Sequence, residues 1–380
     1  MRRTIAACTT LLPMLLVLYS RGALSPREDG AVTVSPDAGV AGNYGTWTVT
    51  YRVGAKGIAE GGGVRVQLPD SWHAGDRNSA NPLQATNPRG DHYVSGRSSR
   101  EGVKLETIVE GESDEVLVKN ARESLDGRSE RYVWVARVRV TQGTLRPADT
   151  LSVVYGDTSA GSRGLRAAIV STTPEPILLA VDAAGNGRFE LHPDRPTIRS
   201  KSGPPAQLLV YAPSETVVGR ATELRVAVVD ANANPTSDLQ GDVRFEVLAR
   251  EASVVGLVPG DLARGWAVVP FTAKTPGVLR IAASALGGIL KARSNPIRVI
   301  QKEPERRIYW GDLHSHSHYS WDGVGAASFE YARHISALDF YALTDHSSTP
   351  DHYTRGLGPH VWQEYNALTD RHYDPGRFVT

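Results

Sequence analysis

Histidine is crowded into the end of this chain. His73, His92 and His192 precede residue 300, and the other eight of the 11 fall between His314 and His372. The densest run is Asp312-Leu313-His314-Ser315-His316-Ser317-His318. Residues two apart on a strand share a face, so His314 and His316, with His318 beyond them, would project together. Imidazoles that close repel when protonated and are costly to bury unpaired; a shared divalent cation resolves both problems. Asp322 follows in Ser320-Trp321-Asp322-Gly323, and a second apolar run ends in Thr344-Asp345-His346. Either motif alone arises often by chance, whereas the two at neighbouring strand ends, with Asp-Gly between them, predict metal binding.

The elements that would position these groups are short. Ile308 to Leu313 reads as a strand running into the histidines. Ser328 reads as the cap of a helix carrying Phe329, Ala332, Ile335 and Leu338, with Glu330 in its first turn. Phe340 to Leu343 is another apolar strand. Strand, helix, strand is a βαβ unit, and the carboxyl ends of neighbouring parallel strands face one crevice, which would bring His346 toward His314 and His316.

Gly311-Asp312-Leu313-His314-Ser315-His316-Ser317, Ser320-Trp321-Asp322-Gly323 and Ala342-Leu343-Thr344-Asp345-His346 together resemble the first two motifs of the polymerase-and-histidinol-phosphatase (PHP) superfamily. The Tyr309-Trp310-Gly311-Asp312 lead-in is most similar to its secreted branch, a group catalogued as a domain of unknown function. The resemblance covers residues 308–380. It implies a distorted (β/α) barrel holding two or three divalent ions (Zn, Mn or Fe) that hydrolyses phosphate esters with metal-activated water. By position it makes His314 and His316 ligands of one ion and gives Asp322 and His346 to another, with Asp345 and Asp312 as supporting residues. The catalytic group would be the metal-bound water. Only 34 residues follow His346 and the family's later motifs do not occur among them, so weak or no turnover is expected of residues 1–380. His318 falls outside the pattern, and His334 reads as a solvated or packed mid-helix imidazole. His352, His360 and His372 lie in an irregular stretch that selects none of them.

Ahead of this tail the dominant period is two. Trp47, Val49, Tyr51 and Val53 alternate with polar partners, as do Val64, Val66 and Leu68, and Leu151, Val153 and Tyr155. Tyr132 to Val140 is rich in β-branched residues. Short strands parted by Gly, Pro, Asn and Asp clusters predict antiparallel sandwiches. One unit is expected over residues 30–200, with Gly75 to Arg100 as a polar surface loop. A linker follows at Ser200 to Pro205. A second unit over residues 206–300 resembles bacterial immunoglobulin-like modules, with Leu224, Val226 and Val228 on one face. The metal-binding unit would occupy residues 306–380. Asp182 to Gly187 and Asp230 to Pro235 both read as turns, and Trp72 as a packed residue at a strand exit.

Arg2, Arg3 and the uncharged run Ile5 to Tyr19 read as an export leader, with cleavage after Gly22. The run is short for a membrane span, so membrane attachment requires an uncleaved leader. Cys8 is the single cysteine and lies in this leader, so neither disulfides nor thiol chemistry is expected in the mature chain. With 42 basic and 41 acidic residues, no broad footprint for nucleic acid is present. The expected partner is a small-molecule or polymeric ester, met in the periplasm or outside the cell. The rival to the hydrolase is a non-enzymatic surface or adhesion protein, whose tail histidines hold a structural metal.

Overall fold

The computed structural model describes residues 27–72, 83–110, 135–249, 251–254, 256–317, 328–346 and 359–380. The leader, His73, His318, Asp322 and His352 lie outside them.

The strands of the two main sheets of the first unit are β1 (Ala31–Ser35), β2 (Trp47–Arg52), β3 (Gly63–Gln67), β4 (Val94–Ser98), β5 (Lys104–Glu110), β6 (Val135–Gln142), β7 (Thr150–Tyr155), β8 (Leu178–Asp182) and β9 (Glu190–Leu191). They form two antiparallel sheets, ordered β1-β2-β7-β4 and β9-β8-β3-β6-β5. Alternation decides which side chains meet between them: Trp47, Val49 and Tyr51 from one sheet join Val64, Val66 and Val138 from the other in a single core. Trp72 closes one end as expected, edge-on to Trp47 at 4.8 Å.

The stretch expected as a polar loop is partly a strand. β4 pairs along its length with β7, and Val94 is fully buried. Its other inward positions are Gly96 and Ser98, so no apolar alternation announces it. Gly96 is required by packing, since a Cβ there would lie 2.6 Å from Val138.

The second unit contains β10 (Gln207–Tyr211), β11 (Glu215–Val217), β12 (Ala221–Val229), β13 (Arg244–Leu248), β14 (Ala252–Val254), β15 (Trp266–Ala273), β16 (Gly277–Ala285), β17 (Leu290–Arg293) and β18 (Ile297–Ile300). Its sheets run β10-β12-β15-β14 and β11-β18-β16-β13, with β17 also on β16. Leu224, Val226 and Val228 point into the shared core, as their spacing predicts. Ser200 to Pro205 is no free linker: Ser200 and Lys201 pair with Gly39 and Val40, and Gly203 N donates to Asp230 at 2.7 Å.

The tail carries the parallel pair β19 (Gly311–Ser315) and β20 (Phe340–Leu343). Between them the expected helix is one π-type turn, Tyr331–Ile335. Ser328 does not cap it, because its hydroxyl is bonded to the Tyr341 hydroxyl at 2.6 Å. The stretch expected to be irregular forms α1 (Pro359–His372). Val379 bridges to Phe340 in parallel. The described residues are thus mostly β, and the expected (β/α) barrel is not among them. No described helix is long and apolar enough to cross a membrane.

Candidate functional site

Gly311 lets β19 lie against β20, since a Cβ on it would fall 2.2 Å from the Phe340 ring. The ladder shifts register between Asp312 and Ser315, at the point where the histidines begin. Beyond that shift Thr344 holds the two strand ends together. Its N–H donates to Ser315 O at 2.8 Å. Its hydroxyl accepts from Ser315 N and lies 3.1 Å from His314 Nδ1.

Three imidazoles meet there. His314 and His316 stand edge to face with ring centroids 4.8 Å apart, and His316 meets His346 in the same manner at 4.7 Å. Around a tetrahedral ion with Zn–N bonds of ~2.1 Å, neighbouring ring centroids fall ~5 Å apart, which these two pairwise ring spacings match. The set is incomplete: among the described residues no three His, Cys, Asp or Glu are arranged to hold a metal ion.

The carboxylates around the trio act on backbone. Asp345 is buried, accepting from Ser317 N at 2.7 Å and from the Ser317 hydroxyl at 2.8 Å. It ties down Ser317, the residue that follows His316. Asp312 accepts from His314 N at 3.0 Å and so shapes the backbone before the ring. His372 stacks on Phe329 at 5.1 Å and approaches Glu330 at 3.3 Å, away from the trio.

Two further clusters went unnoticed in the sequence. The first is the joint between the sandwiches. Asp230, 1% exposed, accepts from Asn232 N, Asn234 N and Gly203 N through its two oxygens. That holds a turn whose amides reach the other unit: Asn232 Nδ2 donates to Ala41 O at 3.0 Å, and Asn234 Nδ2 to Ile169 O at 2.9 Å. Ser171 N returns a bond to Asn234 Oδ1 at 2.7 Å. A turn was expected here; its side chains bridge two domains.

The second cluster seats the tail on the outer face of β12 and β15. Ala227 and Val229 point away from the sandwich core, yet both are buried against Ile335. The unbroken run Val226-Ala227-Val228-Val229 is the one sequence sign of burial on both faces. His334 lies flat on Trp266, centroids 3.6 Å apart and planes 5° from parallel.

No family model matches the chain. No curated protein matches it either. Among solved structures it is similar to the Escherichia coli adhesin FdeC, at 14% identity over 72% of this chain and 64% of that one, TM-score 0.30. It is also similar to the D0-D1 domain of intimin, at 12% identity over 71% of this chain and 98% of that one, TM-score 0.22. Invasin, a bacterial integrin-binding protein, follows at 10% identity over 72% of this chain and 39% of that one, TM-score 0.25. Likenesses this weak fix no activity. The expected PHP phosphoesterase is therefore corrected: its motifs are present in the sequence, but the described residues contain no (β/α) barrel and no family model matches the chain.

Proposed function

We propose that this chain is an exported, non-enzymatic surface protein in which two coupled β-sandwiches form an adhesive arm and the tail imidazoles hold a structural divalent ion. The observation that carries this reading is the buried Asp230 joint. Hydrogen bonds from Asn232 and Asn234 to Ala41 and Ile169 restrict bending between the sandwiches, as an arm that presents a binding face requires. Inter-domain motion is the default where such contacts are few. The leader-like N-terminus supports export, with the arm outside the cell. His314, His316 and His346 converge within the tail, where an ion would cross-link β19 to β20.

The test is retention of the immobilised full chain on arrays of glycans and matrix proteins, alongside a phosphoester screen supplemented with Zn, Mn or Fe. Saturable binding that survives the His314→Ala, His316→Ala double change is expected, because adhesion resides in the sandwiches. Metal-dependent turnover abolished by that double change would overturn the reading.

A further inference from the structure

His334 sits where protonation is expensive. Its Nδ1 is buried and has no hydrogen-bond partner among the described residues, and its ring face is covered by Trp266. A proton on that nitrogen would be a buried donor with nowhere to donate. Around the stack the tail is fastened to the second sandwich by few contacts. Arg225 Nη1 on β12 donates to Arg333 O at 2.6 Å and more loosely to Leu338 O at 3.4 Å. The Tyr331 hydroxyl donates to Ala233 O at 3.1 Å, and Trp310 Nε1 to the Ser214 hydroxyl at 2.8 Å. Ile335 fills the space over Ala227 and Val229.

We propose that this contact is an acid-releasable latch: neutral His334 on Trp266 holds the tail against the second sandwich, and protonation of His334 frees it. Release would uncover the apolar strip Trp266, Ala227 and Val229, a new face on the arm.

The charges facing His334 mostly oppose a further positive charge. Arg333 is on its own turn, while Arg225 and Arg264 come from the sandwich; Glu330 alone pulls the other way, 3.3 Å from Nε2. Glu330 is shared with His372 of α1, and Arg333 is paired with Asp374 beyond it. Burial, reinforced by the three arginines and only partly offset by Glu330, pulls the imidazole down to about 4. Released into water, it returns to about 6.5. The released form therefore binds the proton more tightly. Docking has its full strength above pH ~6.5 and weakens as pH falls toward ~4, by on the order of 10²-fold.

The experiment uses the full chain in a Cys8→Ser background, with spin labels at Ile289→Cys on the sandwich and Tyr373→Cys on the tail, both exposed positions. One narrow distance is expected at pH 7.5 and a broad, longer distribution at pH 4.5, with the far-ultraviolet dichroism of the β-sandwiches unchanged. His334→Phe, which can still stack on Trp266, is expected to stay closed at both pH values. Trp266→Ala is expected to be open at both. A wild-type distance unchanged to pH 4, or a His334→Phe chain that opens as the wild type does, overturns the latch. So does loss of sandwich dichroism in step with the distance change.

Discussion

Asn234 reaches across from the second sandwich and donates through Nδ2 to the carbonyl of Ile169 in the first, at 2.9 Å. Its Oδ1 accepts from Ser171 N in return, so a single amide fills a donor and an acceptor of the neighbouring domain. Asp230 below it is bonded to that same amide, to Gly203 and to two N–H groups of its own turn. Removing the Asn234 amide takes a partner from the buried Asp230 carboxylate and from two part-buried backbone groups of the neighbouring domain.

Asn234→Ala is accordingly expected to destabilise the chain by ~1–2 kcal/mol, because Asp230 and the part-buried Ile169 O and Ser171 N lose a partner. It should also loosen the arm. Small-angle scattering would show a larger radius of gyration than wild type while the β signature in circular dichroism is kept. Unchanged scattering together with an unchanged melting temperature would mean that the joint is not what couples the sandwiches.

A second buried carboxylate makes the first sandwich sensitive to acid. Burial alone would raise the Asp157 pKa, but the Ser95 hydroxyl, Ser159 and Arg97 donate to the carboxylate and hold it far below the usual range. A carboxyl with a depressed folded pKa contributes stability above its unfolded value and loses it as pH falls through the folded one. Asp157→Asn is expected to cost ~1–2 kcal/mol at pH 7, discounted because Arg97 is 58% exposed. In urea melts the gap between wild type and variant should narrow below pH ~4. A gap that is constant down to pH 2 would count against the charge-linked account.

Gly156 offers a test of backbone demand. Its φ is +69°, and a Cβ there would lie 2.1 Å from Leu165 N and 2.4 Å from Gly45 O. Gly156→Ala combines left-handed strain with a clash against two backbone atoms that cannot swing aside. Destabilisation of ~2 kcal/mol or more in urea denaturation is expected. A variant as stable as wild type would show that the turn after β7 can shift.

The strands with clear alternation were legible in the sequence because one face of each is core and the other is wet: Trp47, Val49 and Tyr51, or Leu224, Val226 and Val228. β4 was not legible, because Gly96 and Ser98 occupy its inward positions and packing against Val138 replaces hydrophobicity as the signal. Asp182 to Gly187 was legible as a turn, since Asp182 caps the N–H groups of Gly185, Asn186 and Gly187 with its own oxygens. Asp230 to Pro235 has the same local chemistry and was legible only that far, because the partners of Asn232 and Asn234 lie ~60–190 residues away. In the tail, the rings of His314, His316 and His346 lie side by side at the two strand ends. The error lay in extending three local motifs to a whole barrel. Motifs report which side chains share a strand end, whereas fold and activity depend on elements elsewhere in the chain.

The imidazole trio supplies the last prediction. Two edge-to-face contacts at 4.7–4.8 Å bring His314, His316 and His346 side by side at the end of a two-stranded parallel ladder. Two strands bury little apolar surface, so a bound ion would add stability to the tail in proportion to ln(1 + [M]/Kd). Elemental analysis of the purified chain is expected to find about one equivalent of Zn, Mn or Fe, lost in the His314→Ala, His316→Ala variant, by analogy with structural imidazole sites. Chelation should lower the melting of the tail while leaving both sandwich cores folded, because neither sandwich contributes to the trio. Metal-free wild type, with a tail indifferent to chelator, would mean that the rings are held by Thr344 and by each other. The tail's stability would then rest on its own core of Phe329, Ala332, Tyr341 and Phe378 and on its seat against the second sandwich.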